Sequence, residues 1–163
     1  MEIGATKAVQ DRLKTTKIEE SKGASLVFCW DTHLTKIKGR NVLFIVNASN
    51  RYTIAMTDIE PRNWNYYAMY IIRVIHGMMQ EMGYSEEQIE QYFKMSGDTT
   101  ITKTHGRKSV GGINRMVMDA QYFGKKLEKE AKYQWELSEY LNRDICQPEG
   151  FDAYGYPSEL FKL

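Results

Sequence analysis

The sequence changes period near residue 58, and that change limits the chain to folds that set a sheet against helices. From there Trp64, Tyr67, Ala68, Ile71, Ile72, Ile75, Met78, Met79 and Met82 recur at intervals of three and four, the spacing of one helix face. Pro61 suits the first helical position, and Gly83 provides the stop. Upstream the pattern is that of strands. Residues 26–30 are apolar enough for a buried strand, 31–33 read as a break, and 34–38 alternate. Gly39-Arg-Asn41 supplies a hairpin turn before residues 42–46, the most β-prone run and a candidate central strand. A second turn at 47–51 leads to residues 52–56, so four strands on short turns predict an antiparallel meander.

The flanks add smaller elements. Residues 2–5 read as a short strand, with Thr6 the N-cap of a helix over 7–14, and Gly23 marks a polar loop over 15–24. Ser85-Glu-Glu-Gln88 is a capping box for a helix that Gly97 ends, and residues 98–104 return to β. Ser109 is the expected N-cap of a last helix running past Gly124. Its charged continuation over 125–142 is expected to project from the domain. Pro148, Gly150, Gly155 and Pro157 forbid further helix, and Phe151, Tyr154, Tyr156 and Phe161 suit a tail that docks on this domain or on a partner copy. The predicted fold class is α+β: an antiparallel sheet of about five strands packed by a long central helix, a short helix and a long C-terminal helix. The expected division is a single domain over 1–124 with an extension over 125–163.

Composition excludes some function classes. A net charge of +1 on 163 residues rules out a polyanion binder that works by bulk charge, so nucleic acid would have to meet a local patch. The N-terminus lacks a basic start followed by an apolar core, and no apolar run approaches the roughly 20 residues that span a bilayer. A cytoplasmic protein without a membrane partner is expected. Cys29 and Cys146 form no CxxC motif, and His33, His76 and His105 show no ligand spacing, so neither a metal nor a cofactor is expected.

The chemistry concentrates between residues 99 and 114. A β-branched run there meets a helix start, and Lys103, His105, Arg107 and Lys108 fall within six residues. Helix N-termini beside cations hold anions. On a strand Lys103 and His105 would share a face. Gly106 lets a ligand approach the backbone, and Arg107 can fork onto a phosphate. The candidate anion- or phosphate-binding set is Lys7, Arg51, Lys103, His105, Arg107, Ser109 and Asn114; the plain alternative is a solvated loop that Ser109 merely caps. Asp31 and His33 are a candidate acid–base pair across one turn, Cys29 lies inside a strand-like run, and no catalytic residue can be assigned. Tyr66 and Tyr70, off the main helix stripe, suit either base stacking or, preferably, a dimer face.

Gly4-Ala-Thr-Lys7, Trp30, Asn47-Ala-Ser-Asn-Arg-Tyr52 and the stretch from Thr102-Lys-Thr to Asn114 together resemble a small bacterial family of domains of unknown function, over about residues 1–120. That family more often has Trp-His-Ala-Asn-Leu where this chain has Trp30-Asp-Thr-His-Leu34, which displaces the histidine by two positions. The resemblance implies a bacterial, cytoplasmic α+β domain, singles out Lys103, Arg107, Ser109 and Asn114, and implies no reaction. Three functions stay open. The first is a binding module for a nucleic acid or nucleotide. The second is a structural or interaction protein of a mobile-element or phage-related system, homodimeric through the C-terminal helix and tail. The third is a small nuclease or phosphotransferase.

Overall fold

The computed structural model describes residues 1–13 and 18–163. The C-terminal end expected for the first helix, and residues 15–17 of the loop after it, fall outside the described residues. Five strands form one sheet in the order β4-β3-β2-β1-β5: β1 Glu2–Ala5, β2 Cys29–Ile37, β3 Arg40–Asn47, β4 Thr53–Thr57 and β5 Thr100–Thr102. The meander β2-β3-β4 is antiparallel as expected, but β1 runs parallel to both β2 and β5, so the sheet is mixed. The reason is connectivity. The helix α1 (Lys7–Leu13) lies between β1 and β2, and a crossover of that kind returns the chain in the same direction.

Residues 31–33 do not break the meander. Asp31 pairs with Val46 and His33 with Phe44, making β2 a nine-residue strand; residues 26–28 form a single 3-10 turn ahead of it. The expected central helix is two pieces, α2 (Pro61–Asn65) and α3 (Tyr67–Glu81), separated at Tyr66. Gly83, at φ 84°, follows the helix end as the sequence predicts. Ser85 and Gln88 form both hydrogen bonds of the capping box on α4 (Glu86–Ser96). Ser85→Ala is expected to lower unfolding free energy by about 1 kcal/mol, checked by urea denaturation with a helix-sensitive probe.

Period-two alternation sorts the sheet residues onto two apolar layers. Ile3, Ala5, Trp30, Leu43, Ile45, Ile54 and Met56 meet Val9 of α1, Ile71, Ile75 and Met79 of α3, and Ile89 and Tyr92 of α4. Val42, Phe44, Val46 and Ala55 meet α5 (Gly106–Gln121) and α6 (Trp135–Asn142) through Ile113, Met116, Leu137 and Leu141. The long C-terminal helix therefore ends at Gln121 rather than passing Gly124.

Residues 125–142 fold back instead of projecting. Ser138 and Asn142, four apart on one face of α6, bond the outer edge of β4: Ala55 N–H donates to Ser138 Oγ at 3.0 Å and Thr53 N–H to Asn142 Oδ1 at 2.7 Å. Covering an edge strand in this way removes the unpaired backbone groups that invite aggregation. The tail docks on this chain. After α7 (Pro157–Leu160), Phe161 is buried against Trp30 and Tyr52 at ring separations of 5.8 and 5.2 Å. No helix among the described residues is long and apolar enough to cross a membrane.

Candidate functional site

Strand alternation places Glu2, Gly4, Cys29 and Asp31 on the sheet face opposite Ile3 and Trp30. The chain leaving β5 bends over that face. His105 comes down onto Glu2 and Asp31, and the ring is clamped from both ends. His105 Nδ1 lies 2.7 Å from Asp31 Oδ1, and Nε2 lies 3.0 Å from Glu2 Oε2. Side-chain exposure is 2% for His105, 5% for Glu2 and 0% for Asp31.

Each carboxylate has further donors. The His105 backbone N–H points at Asp31 from 3.2 Å, and Ser109 Oγ donates to Asp31 Oδ2. Ser21 Oγ donates to Glu2 Oε2 at 2.6 Å, and the Lys22 N–H to Oε1 at 2.8 Å. Burial opposes charge on Glu2, but these hydrogen bonds outweigh it and hold the carboxyl below its usual range. Burial also works against the imidazolium, yet hydrogen bonding to Asp31 and Cys29, with their charges, pushes the His105 pKa up to about 10. Gly4 makes the close approach possible: a Cβ there would stand 1.9 Å from Asp31 Oδ1 and 3.1 Å from His105 Nδ1.

Of the seven residues that the sequence singles out, this cluster takes His105 and Ser109. Lys103 and His105 do not share a face, because β5 ends at Thr102; Lys103 is exposed and pairs with Glu20. Ser109 is not the N-cap. The helix begins at Gly106 after His105, and Ser109 sits in its first turn. The carboxylate that meets this turn is the protein's own Asp31. Lys7 is exposed on α1, paired with Asp11 at 2.8 Å, against the opposite sheet layer from α5. Arg107 and Asn114 are exposed on α5. His33 does not pair with Asp31, since its Nδ1 lies 3.2 Å from Thr6 Oγ1.

Arg51 meets the α5 corner from another direction. Asn47 Oδ1 accepts from the Ser49 and Asn50 N–H groups, Asn50 Oδ1 accepts from Tyr52 N–H, and Arg51 is held at φ 64°, an uncommon backbone for a side-chain-bearing residue. A cavity of about 50 Å³ lies among Arg51, Lys108, Ser109, Gly112 and Gln147. Arg51 Nη2 is buried without a hydrogen-bond partner among the described residues; Asp144 Oδ2 stands 3.5 Å from it. Lys108 Nζ donates to the Pro148 carbonyl at 3.3 Å. Neither His33 nor His105 lines this cavity. Of the helix aromatics, Tyr66 is exposed and Tyr70 half-buried.

The sequence does not single out Glu2; it pairs Asp31 with His33 rather than His105, and it counts Lys108 among the corner cations but not in the binding set. For the first two a signal was present: a carboxylate within an otherwise apolar strand (Ile3 beside Glu2, Cys29 and Trp30 beside Asp31) is rarely buried without a partner. A family model described as Domain of unknown function (DUF6933) matches residues 2–160, so the chain belongs to that family, extension and tail included. No curated protein and no solved structure matches the chain.

Proposed function

We propose, with membership of the DUF6933 family as a premise that names no reaction, that the domain is a binding module for a phosphate-bearing ligand, a nucleotide or nucleic acid, held at Arg51. The observation behind this reading is Arg51, which lines the cavity and whose buried Nη2 has no hydrogen-bond partner among the described residues, with Asp144 Oδ2 3.5 Å away. A guanidinium nitrogen in that state is what an oxyanion satisfies, by a charge-assisted and often bidentate hydrogen bond. Lys108 adds a second cation at the cavity wall, and the first turn of α5 adds the positive end of a 16-residue helix. The cavity, a few times what one water needs, takes one oxyanion group and leaves a sugar and base outside. A local site of this kind also fits a net charge of only +1. In this reading Arg51, Lys108 and Ser109 are the binding residues, while Lys7 and Lys103, which do not line the cavity, take no part.

The test is titration of the purified chain with ADP and with a fluorescent oligonucleotide at low salt. Arg51→Ala is expected to weaken binding by about tenfold or more, the worth of one charge-assisted hydrogen bond, and Lys7→Ala to leave it unchanged. If the wild-type chain binds neither probe at low salt, the reading is overturned. The nuclease or phosphotransferase reading is less well supported, since it needs an acid–base group at the cavity and both histidines nearest in sequence are engaged elsewhere.

A further inference from the structure

We propose that Glu2, Cys29 and His105 form a binding site for a divalent transition-metal ion, zinc being the chemical type that fits. One donor atom from each, a carboxylate oxygen, the thiol sulfur and a ring nitrogen, lies within 4.8 Å of the other two, and all three residues are buried. A mixed S, N and O set suits zinc better than magnesium or calcium, which take oxygen alone.

Three features distinguish this arrangement from an ordinary buried ion pair. The first is the second carboxylate. Asp31 engages His105 at Nδ1, which orients the ring and aims Nε2 at Glu2 Oε2, 3.0 Å away, so that an ion bound by both atoms replaces that hydrogen bond. A carboxylate behind a ligating histidine is the usual support of a zinc-bound imidazole. The second is charge. Glu2 and Asp31 place two carboxylates around one imidazole in a buried cluster, an anionic surrounding that suits a divalent cation. The third is Cys29. Its Sγ faces the same cluster, within 4.8 Å of the Glu2 and His105 donor atoms, and its weak hydrogen bonds run to the Ser25 and Ala24 carbonyls at 3.4 and 3.7 Å. As a metal ligand it has a role. Three protein ligands leave a fourth position for water, and Ser21 Oγ, 2.6 Å from Glu2 Oε2, steadies the carboxylate from outside.

The experiment uses the full chain, stripped with a chelator and titrated with Co²⁺, then with Zn²⁺ as competitor. One equivalent of Co²⁺ is expected to give tetrahedral visible bands and a near-ultraviolet thiolate-to-cobalt charge-transfer band, both displaced by Zn²⁺. Cys29→Ser is expected to abolish the charge-transfer band, and Cys146→Ser to leave it intact. Asp31→Asn is expected to weaken Zn²⁺ binding by about 10- to 100-fold, as loss of a supporting carboxylate does. X-ray absorption on the wild-type zinc-loaded chain, which needs no variant to fold, should show one sulfur among nitrogen and oxygen ligands. Absence of cobalt bands in the folded wild type, a band that survives Cys29→Ser, or a zinc shell without sulfur would each overturn the proposal.

Discussion

Gly4→Ala is expected to lower the unfolding free energy by about 3 kcal/mol or more, or to leave no folded protein at 37 °C. The added methyl would stand 1.9 Å from Asp31 Oδ1, a separation that no real side chain tolerates. Relief by movement is closed off. Asp31 is fully buried and holds the His105 ring, the His105 N–H and Ser109, so shifting its carboxylate unpairs a buried charge. Moving β1 instead would disturb its ladders to β2 and β5, in which Gly4 faces Asp31 and Thr102. Gly4 has no positive φ, so the effect arises from space rather than backbone freedom. Urea denaturation of the two proteins side by side is the measurement; a difference below about 1 kcal/mol would mean that the cluster relaxes freely.

Much of the fold was legible because it rests on local pattern. The helix of residues 67–81, the capping box at Ser85 and the β3–β4 pair all follow from periodicity or turn chemistry carried by neighbours in sequence. What was not legible depends on partners far along the chain. The mixed sheet requires β1 to insert between β2 and β5, a choice that no residue within β1 dictates. Residues 125–142 read as a projecting helix because they are highly charged, a pattern in which the polar Gln134, Ser138 and Asn142 do not stand out. Their side chains or backbone instead close the edge of β4, across 83 residues for Ser138 and 89 for Asn142.

The candidate site shows the same division. The sequence located the strand-to-helix corner and named His105 and Ser109, because a cation-rich loop before a helix is a local signal. It missed that the anion at that corner is internal. Asp31 looked like a strand break since a carboxylate is unwelcome in a buried strand, and the imidazole that makes it welcome is 74 residues away. Arg51 was named for its turn, yet its relation to Lys108 depends on how α5 crosses the second face of the sheet.

Replacing His105 by alanine is expected to cost about 3–5 kcal/mol in chelator, because it strands Glu2 and Asp31 as unpaired buried carboxylates. Asp31→Ala alone is expected to cost a similar amount, since it strips the His105 ring, its backbone N–H and Ser109 of their acceptor. The informative quantity is the double variant. If the two groups stabilise the fold chiefly through each other, removing both should cost at least about 2 kcal/mol less than the sum of the single losses. Additive losses would mean that each residue acts through other partners, Glu2 for the ring and Ser109 for the carboxylate, and that the clamp is not a unit. The result bears on how the corner is built. His105 ties β5 and the start of α5 to β1 and β2, so a coupled clamp also fixes where Lys108 and Ser109 stand against Arg51. A loss confined to stability, with Arg51-dependent binding intact in the remaining folded protein, would separate the clamp from the cavity beside it.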